Sequence, residues 1–125
     1  MEKELPIILL VEDKPDEQEL LRVKLLKIAR VLPAMTKKEA LDLFEKHRAE
    51  IVLIGMDACL EGPKPDTMPL VHHMRKAGFT GPIVAMSGHP DNNDQLVAAG
   101  CDHKSNKDSF PYKAREILKF LGYLT

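Results

Sequence analysis

Residues Ile7 to Val11 are an uninterrupted apolar run that stops at two adjacent carboxylates, Glu12 and Asp13, with Pro15 close behind. A run that short, bounded by a polar turn, reads as a strand buried on both faces of a parallel sheet. Open α/β sheets place ligand sites at the carboxyl ends of such strands. Two neighbouring acids repel each other and lose hydration there, so a compensating charge is expected. A hard divalent cation such as Mg2+ supplies it, since it takes one or two carboxylates and keeps several waters. The bland reading of the same dipeptide is a solvated turn in which Asp13 caps the next helix.

Downstream, strand and helix patterns alternate. Leu20, Leu21, Val23, Leu25, Leu26 and Ile28 recur at helical spacing, predicting a helix over about Asp16 to Ala29 with Pro15 in its first turn. Val31 to Met35 is a short strand that Pro33 suits to a sheet edge. Thr36 caps a helix over Lys37 to Arg48, with Ala40, Leu41, Leu43 and Phe44 inward. Ile51 to Ile54 is a second buried strand, expected beside the first. Residues Gly55 to Met68, with Gly62, Pro63 and Pro65, form a loop longer than the usual connection and hence a candidate functional element. Asp66 or Thr67 caps a third helix running to Lys76 and closed by Gly78. Ile83 to Met86, the helix Asn92 to Ala99, a polar strand Cys101 to Asn106, and a helix from Pro111 with Ala114, Ile117, Leu118 and Leu121 buried complete the chain.

Five strands alternating with five helices across 125 residues predict one α/β domain, a doubly wound parallel sheet with helices on both faces. The net charge of −1 offers no electrostatic footprint for nucleic acid or an anionic membrane, so neither is expected as a partner. Cys59 and Cys101 have no metal or redox spacing and read as a loop thiol and a strand-end filler. Met1 to Leu5 carries Glu2 and Glu4 where a secretory segment would be basic and then apolar. A cytoplasmic location with no membrane span follows as an expectation.

Ile8-Leu9-Leu10-Val11-Glu12-Asp13, Lys38-Glu39-Ala40-Leu41, Ile51-Val52-Leu53-Ile54, Pro82-Ile83-Val84-Ala85-Met86-Ser87, and Ala98-Ala99-Gly100-Cys101-Asp102 with Lys107 are five segments in one order. Together they resemble the receiver domain of two-component response regulators. The resemblance spans nearly the whole chain and implies a flavodoxin-like sheet of strand order 2-1-3-4-5. It implies phosphorelay signal transduction, with a phosphoryl group passing from a histidine kinase to an aspartate at the end of the third strand. Carried over by motif, Glu12 and Asp13 are the Mg2+ acids, Ser87 is the hydroxyl that contacts the phosphoryl group, and Lys107 is the ammonium. The cation and the ammonium offset charge on the phosphoryl oxygens.

The acceptor departs from this pattern. Counting from Glu39-Ala40-Leu41 along the family spacing, it falls on Gly55, which cannot be phosphorylated. The first expectation is therefore an atypical, stand-alone pseudo-receiver that binds Mg2+ weakly and acts through protein contacts on the face Asn92 to Leu121, either with a kinase or downstream protein or as a homodimer. The alternative keeps phosphoryl transfer, with Asp57 as a displaced acceptor roughly 6 to 7 Å beyond residue 55 on the same side of the strand. A small-ligand flavodoxin-like module ranks third, since no glycine-rich phosphate loop follows Val11. Asp108 replaces the proline that follows the family lysine and is expected to pair with Lys107. Lys104 stands where the fifth strand usually carries its switch aromatic. Neighbouring His72 and His73 project about 100° apart on a helix and cannot readily share a metal. His89 lies near Ser87 without an oxyanion turn, so hydrolytic or other enzyme activity is not expected.

Overall fold

Apolar runs become the sheet centre. β1 (Ile7–Val11) is buried along its whole length, and β3 (Ile51–Met56) nearly so. With β2 (Arg30–Ala34), β4 (Ile83–Ala85) and β5 (His103–Lys104) they form a five-stranded parallel sheet of order β2-β1-β3-β4-β5. The computed structural model describes residues 4–124, so the reading made over Met1 to Lys3 lies outside the described residues. The edge position of β2 matches its Pro33, which has no N–H to give to a second neighbour.

The helices are α1 (Pro15–Leu25), α2 (Lys37–His47), α3 (Met68–Lys76), α4 (Pro90–Ala99) and α5 (Phe110–Phe120). Alternate sheet residues feed two cores. Ile8, Leu10, Leu53 and Val84 pack with Leu21 and Leu25 of α1 and with Phe110, Ala114, Ile117 and Leu118 of α5. Leu9, Val11, Ile54, Met56 and Ile83 pack with Phe44 of α2, Val71 and Met74 of α3 and Leu96 of α4. Parallel strands covered on both faces in this way account for the unbroken apolar sequence of β1 and β3.

Helix starts follow local chemistry. Thr36 accepts the Glu39 N–H at 3.0 Å while Glu39 Oε1 accepts the Met35 N–H, so two otherwise unpaired donors at the start of α2 are satisfied. α1 ends at Leu25, four residues before its expected end, because the chain tightens there: Leu26 N–H bonds to Val23 O and Ile28 N–H to Leu25 O. Of its apolar residues Leu21 and Leu25 are buried, whereas Leu20, Val23 and Leu26 face solvent. Leu121, expected in the buried stripe of α5, is also exposed because the helix stops at Phe120. β5 is two residues long where six were expected, in keeping with its polar sequence.

β3 runs two residues further than its apolar run suggests. Ile7 pairs with Ile51 but Ile8 pairs with Leu53, so Val52 is an extra residue in β3, and Val52 and Leu53 both lie on the α1/α5 side. Such a bulge lengthens one strand without moving its partner. Beyond it the ladder stays regular through Leu10 with Gly55 and Val11 with Met56.

Candidate functional site

Register decides what stands opposite the acid pair. Asp57 N–H donates to Val11 O at 3.0 Å, which sets Asp57 beside Glu12 across the carboxyl edge of the sheet. Glu12, Asp13 and Asp57 each present a carboxylate oxygen within 4.8 Å of the others. Gly55 is elsewhere: a Cβ on it would point into the α1/α5 core, 2.7 Å from Phe110 Cζ and 2.9 Å from Leu10 Cδ1. The carboxylate that the end of β3 presents to the acid pair is thus Asp57, while position 55 lies in the core. A count along the sequence does not see the bulge at Val52, which shifts the residues after it by one against β1. Asp57 follows directly on β3 and continues its pairing with β1, which brings it to the acid pair.

Two of the three acids are strongly desolvated. Glu12 has no exposed surface and Asp57 is 7 % exposed. Burial pushes the Glu12 carboxyl up to about 7, with Asp57 and Asp13 adding to the rise and Lys107 opposing it. Burial also raises Asp57, partly offset by Lys107 and by the Ala58 N–H. Lys107 is ion-paired to Glu12 Oε1 and lies 3.8 Å from Asp57 Oδ2. These two carboxylates outweigh the effect of burial and hold the ammonium above its ordinary range. The expected pair with Asp108 is not formed, since Lys107 turns inward to the greater negative charge.

Ser87 follows β4 and is 4 % exposed. Its Oγ accepts the His89 N–H at 3.1 Å, which leaves the hydroxyl proton free to donate. Asp13, Asp57, Ser87 and Lys107 line one cleft of about 690 Å³ with Cys59, Gly62, Pro63 and His89. All five predicted site residues therefore lie together, four lining the cleft and Glu12 buried and ion-paired to Lys107. His72 and His73 do not join them, and His73 pairs instead with Glu45 at 3.3 Å. Cys59 and Cys101 are both free thiols, and burial pushes Cys101 up to about 12.

Mg2+ is the group that the fold implies here, and the residues suit it. Glu12 Oε2 is buried with no hydrogen-bond partner among the described residues, and three carboxylates meet with one lysine to balance them. An all-oxygen, net-negative set of this kind fits a hard cation. Asp13 and Asp57 face the cleft and would hold it with Glu12.

Two polar residues that support the site were not singled out in the sequence. Gln18 is buried in α1 and its Nε2 donates to Leu10 O, Glu12 O and Ala34 O, tying together the ends of β1 and β2. Asn93 of α4 is buried and its amide bonds to the main chain of Ser87 and Ser105. Both lie on an apolar helix stripe, Gln18 with Leu21 and Leu25 and Asn93 with Leu96, and a polar residue on such a stripe is the available signal. Thr67, expected as a cap, makes no side-chain cap bond; its Oγ1 donates to Asp57 O at 2.7 Å. Asp66 accepts from Leu60 N and Glu61 N inside the loop.

No family model matches the chain, and no curated protein sequence matches it. Solved structures do. The chain is similar to a response regulator receiver domain protein from Clostridium thermocellum at 18 % identity, with 97 % of this chain and 100 % of that chain covered and a TM-score of 0.78. It is similar to a two-component response regulator from Clostridium difficile at 21 % identity, with 94 % and 98 % covered and a TM-score of 0.78. The receiver domain of NtrX from Brucella abortus is 22 % identical over 90 % of this chain and 98 % of that one, with a TM-score of 0.76. Strand order, helix layers and near-complete coverage agree, and the chain has the fold of a response regulator receiver domain.

Proposed function

We propose that this chain is a receiver that accepts a phosphoryl group on Asp57 and signals through protein contacts. The observation that carries the reading is the meeting of the Asp57, Glu12 and Asp13 carboxylates within 4.8 Å, with Lys107 3.8 Å from Asp57. Bound Mg2+ would offset charge on the phosphoryl oxygens and the acid cluster. An Asp57 oxygen attacks the donor phosphorus, forming the acyl phosphate as the bond to the donor's leaving atom breaks. A histidine kinase supplies that donor as a phosphohistidine. Lys107, already 3.8 Å from Asp57 Oδ2, contacts the transferred oxygens with little reorganisation, and the free Ser87 proton donates to one of them once the group is attached. The chain is then a phosphoryl carrier and not an enzyme acting on other substrates. Its partners meet it on α4, β5 and α5, in the cytoplasm where such kinases place their phosphohistidine.

Incubation with acetyl phosphate and Mg2+, followed by intact mass, tests this directly. A single phosphoryl adduct that is lost in Asp57→Ala supports it. No adduct in a folded wild-type chain, with no shift at Asp57 on adding beryllofluoride and Mg2+, would favour a receiver that works by binding alone.

A further inference from the structure

Asn93 engages two strands at once. It is 6 % exposed. Its Oδ1 accepts the Ser87 N–H at 2.9 Å, and its Nδ2 donates to Ser87 O at 3.0 Å and to Ser105 O at 2.9 Å. One planar amide thus holds both main-chain polar groups of the residue that carries the site hydroxyl. Ser105 in turn bonds through its own N–H to Ala85 O at 2.7 Å. The next residue of α4, Asp94, pairs with Lys104 at 2.7 Å. Consecutive α4 residues therefore grip consecutive residues at the end of β5.

We propose that Asn93 is the positioning residue that carries occupancy of the Asp57 cleft to the α4–β5 surface, in the absence of an aromatic at position 104. The input to this coupling rests on the phosphoryl reading above. Ser87 cannot shift toward an occupied Asp57 while its N–H and C=O stay paired unless Asn93 moves with it. Leaving Asn93 behind would strand a buried donor and acceptor, the costlier outcome. Moving α4 meets less resistance, because its first turn begins at Pro90 and His89 supplies no side-chain cap. β5 is equally compliant, being two residues long at the sheet edge. The exposed Lys104–Asp94 pair, with 59 % and 61 % of its side chains accessible, is where the displacement reaches a partner. An ion pair so exposed constrains little and can re-form in a new place.

The test uses the full chain and amide chemical shifts. Ser87→Ala perturbs the β4–α4 turn without any phosphoryl chemistry. Its shifts at Asp94, Lys104 and Ser105 are expected to fall about threefold or more when combined with Asn93→Ser, as for residues coupled through a shared partner. Asn93→Ala is the second variant, and whichever retains dispersed methyl signals is read. In the second arm, beryllofluoride with Mg2+ is expected to shift Asp57, Ala58 and Lys107 in wild type and in the Asn93 variant, but Lys104 and Ser105 in wild type alone. Equal shifts at Lys104 and Ser105 with and without Asn93 would overturn the proposal. An absence of any shift at Asp57 in wild type would overturn the phosphoryl input, while the Ser87→Ala arm decides the role of Asn93 by itself.

Discussion

Lys107 is ion-paired to Glu12, a carboxylate with no exposure to solvent, and this pair holds together the end of β1 and the turn before α5. Removing one partner of a buried pair leaves a charge with neither water nor counter-ion. Lys107→Met is therefore expected to destabilise the fold by about 3 kcal/mol at pH 8. The loss should be smaller at pH 5, where Glu12 takes up a proton. Urea denaturation at the two pH values measures both, and an equal loss at each would contradict the assignment.

Glu12 also makes stability depend on pH in an unusual sense for a carboxylate. Its folded value is raised to about 7 against an ordinary value of 4.5. Between those limits the unfolded chain has released a proton that the folded chain keeps, so unfolding releases a proton and stability falls as pH rises. Above 7 the contribution is flat. The fall attributable to Glu12 is on the order of 2 to 3 kcal/mol. Denaturation in chelator from pH 4.5 to 8 should show it as the difference between wild type and Glu12→Gln, and Mg2+, which favours the carboxylate, should diminish it.

Asp57→Asn removes a like charge beside Glu12. In chelator the variant is expected to be more stable than wild type at pH 8, by about 0.5 to 2 kcal/mol, the usual sign when a functional charge cluster is relaxed. It should also bind Mg2+ more weakly and form no acyl phosphate. Calorimetry with Mg2+ and intact mass after acetyl phosphate treatment check the second half.

Gly55 is a packing residue. Gly55→Ala places a methyl 2.7 Å from Phe110 Cζ and 2.9 Å from Leu10 Cδ1, both in fully buried side chains. Overpacking of this kind is expected to cost about 1 to 3 kcal/mol. Trimming the ring with Phe110→Leu should recover part of that loss, so the double variant is less destabilised than the sum of the singles. Additive losses would place the clash elsewhere.

The order of strands and helices was legible because both sheet faces are covered, so that buried strands appear as unbroken apolar runs. Glu12, Asp13, Ser87 and Lys107 were legible because each follows a recognisable run at a strand end or turn. The position of Asp57 was not. Sequence distance counts residues, whereas a sheet places them by pairing, and the bulge at Val52 separates the two measures. Lys107 was expected to meet Asp108, its chain neighbour, yet it turns to Glu12, 95 positions away in sequence, because charge buried in the fold outweighs charge nearby in the chain. Gln18 and Asn93 were legible only as polar interruptions of apolar helix stripes, and the carbonyls they bond to are invisible before the strands are placed.

The segment between Asp57 and Thr67 begins and ends at almost the same point. Thr67 Oγ1 bonds to Asp57 O at 2.7 Å and Asp66 N to Ala58 O at 2.8 Å. The residues between therefore hang from a closed neck. Lengthening such a loop adds only about 0.6 kcal/mol for each doubling of its length. The exposed tip beside Gly62, whose φ of 149° keeps that position a glycine, is a natural place to splice in a reporter peptide or fluorophore. Because Gly62 and Pro63 also form the rim of the cleft, a probe inserted there would sit at the entrance to Asp57 and sense arrivals without being wired into the sheet.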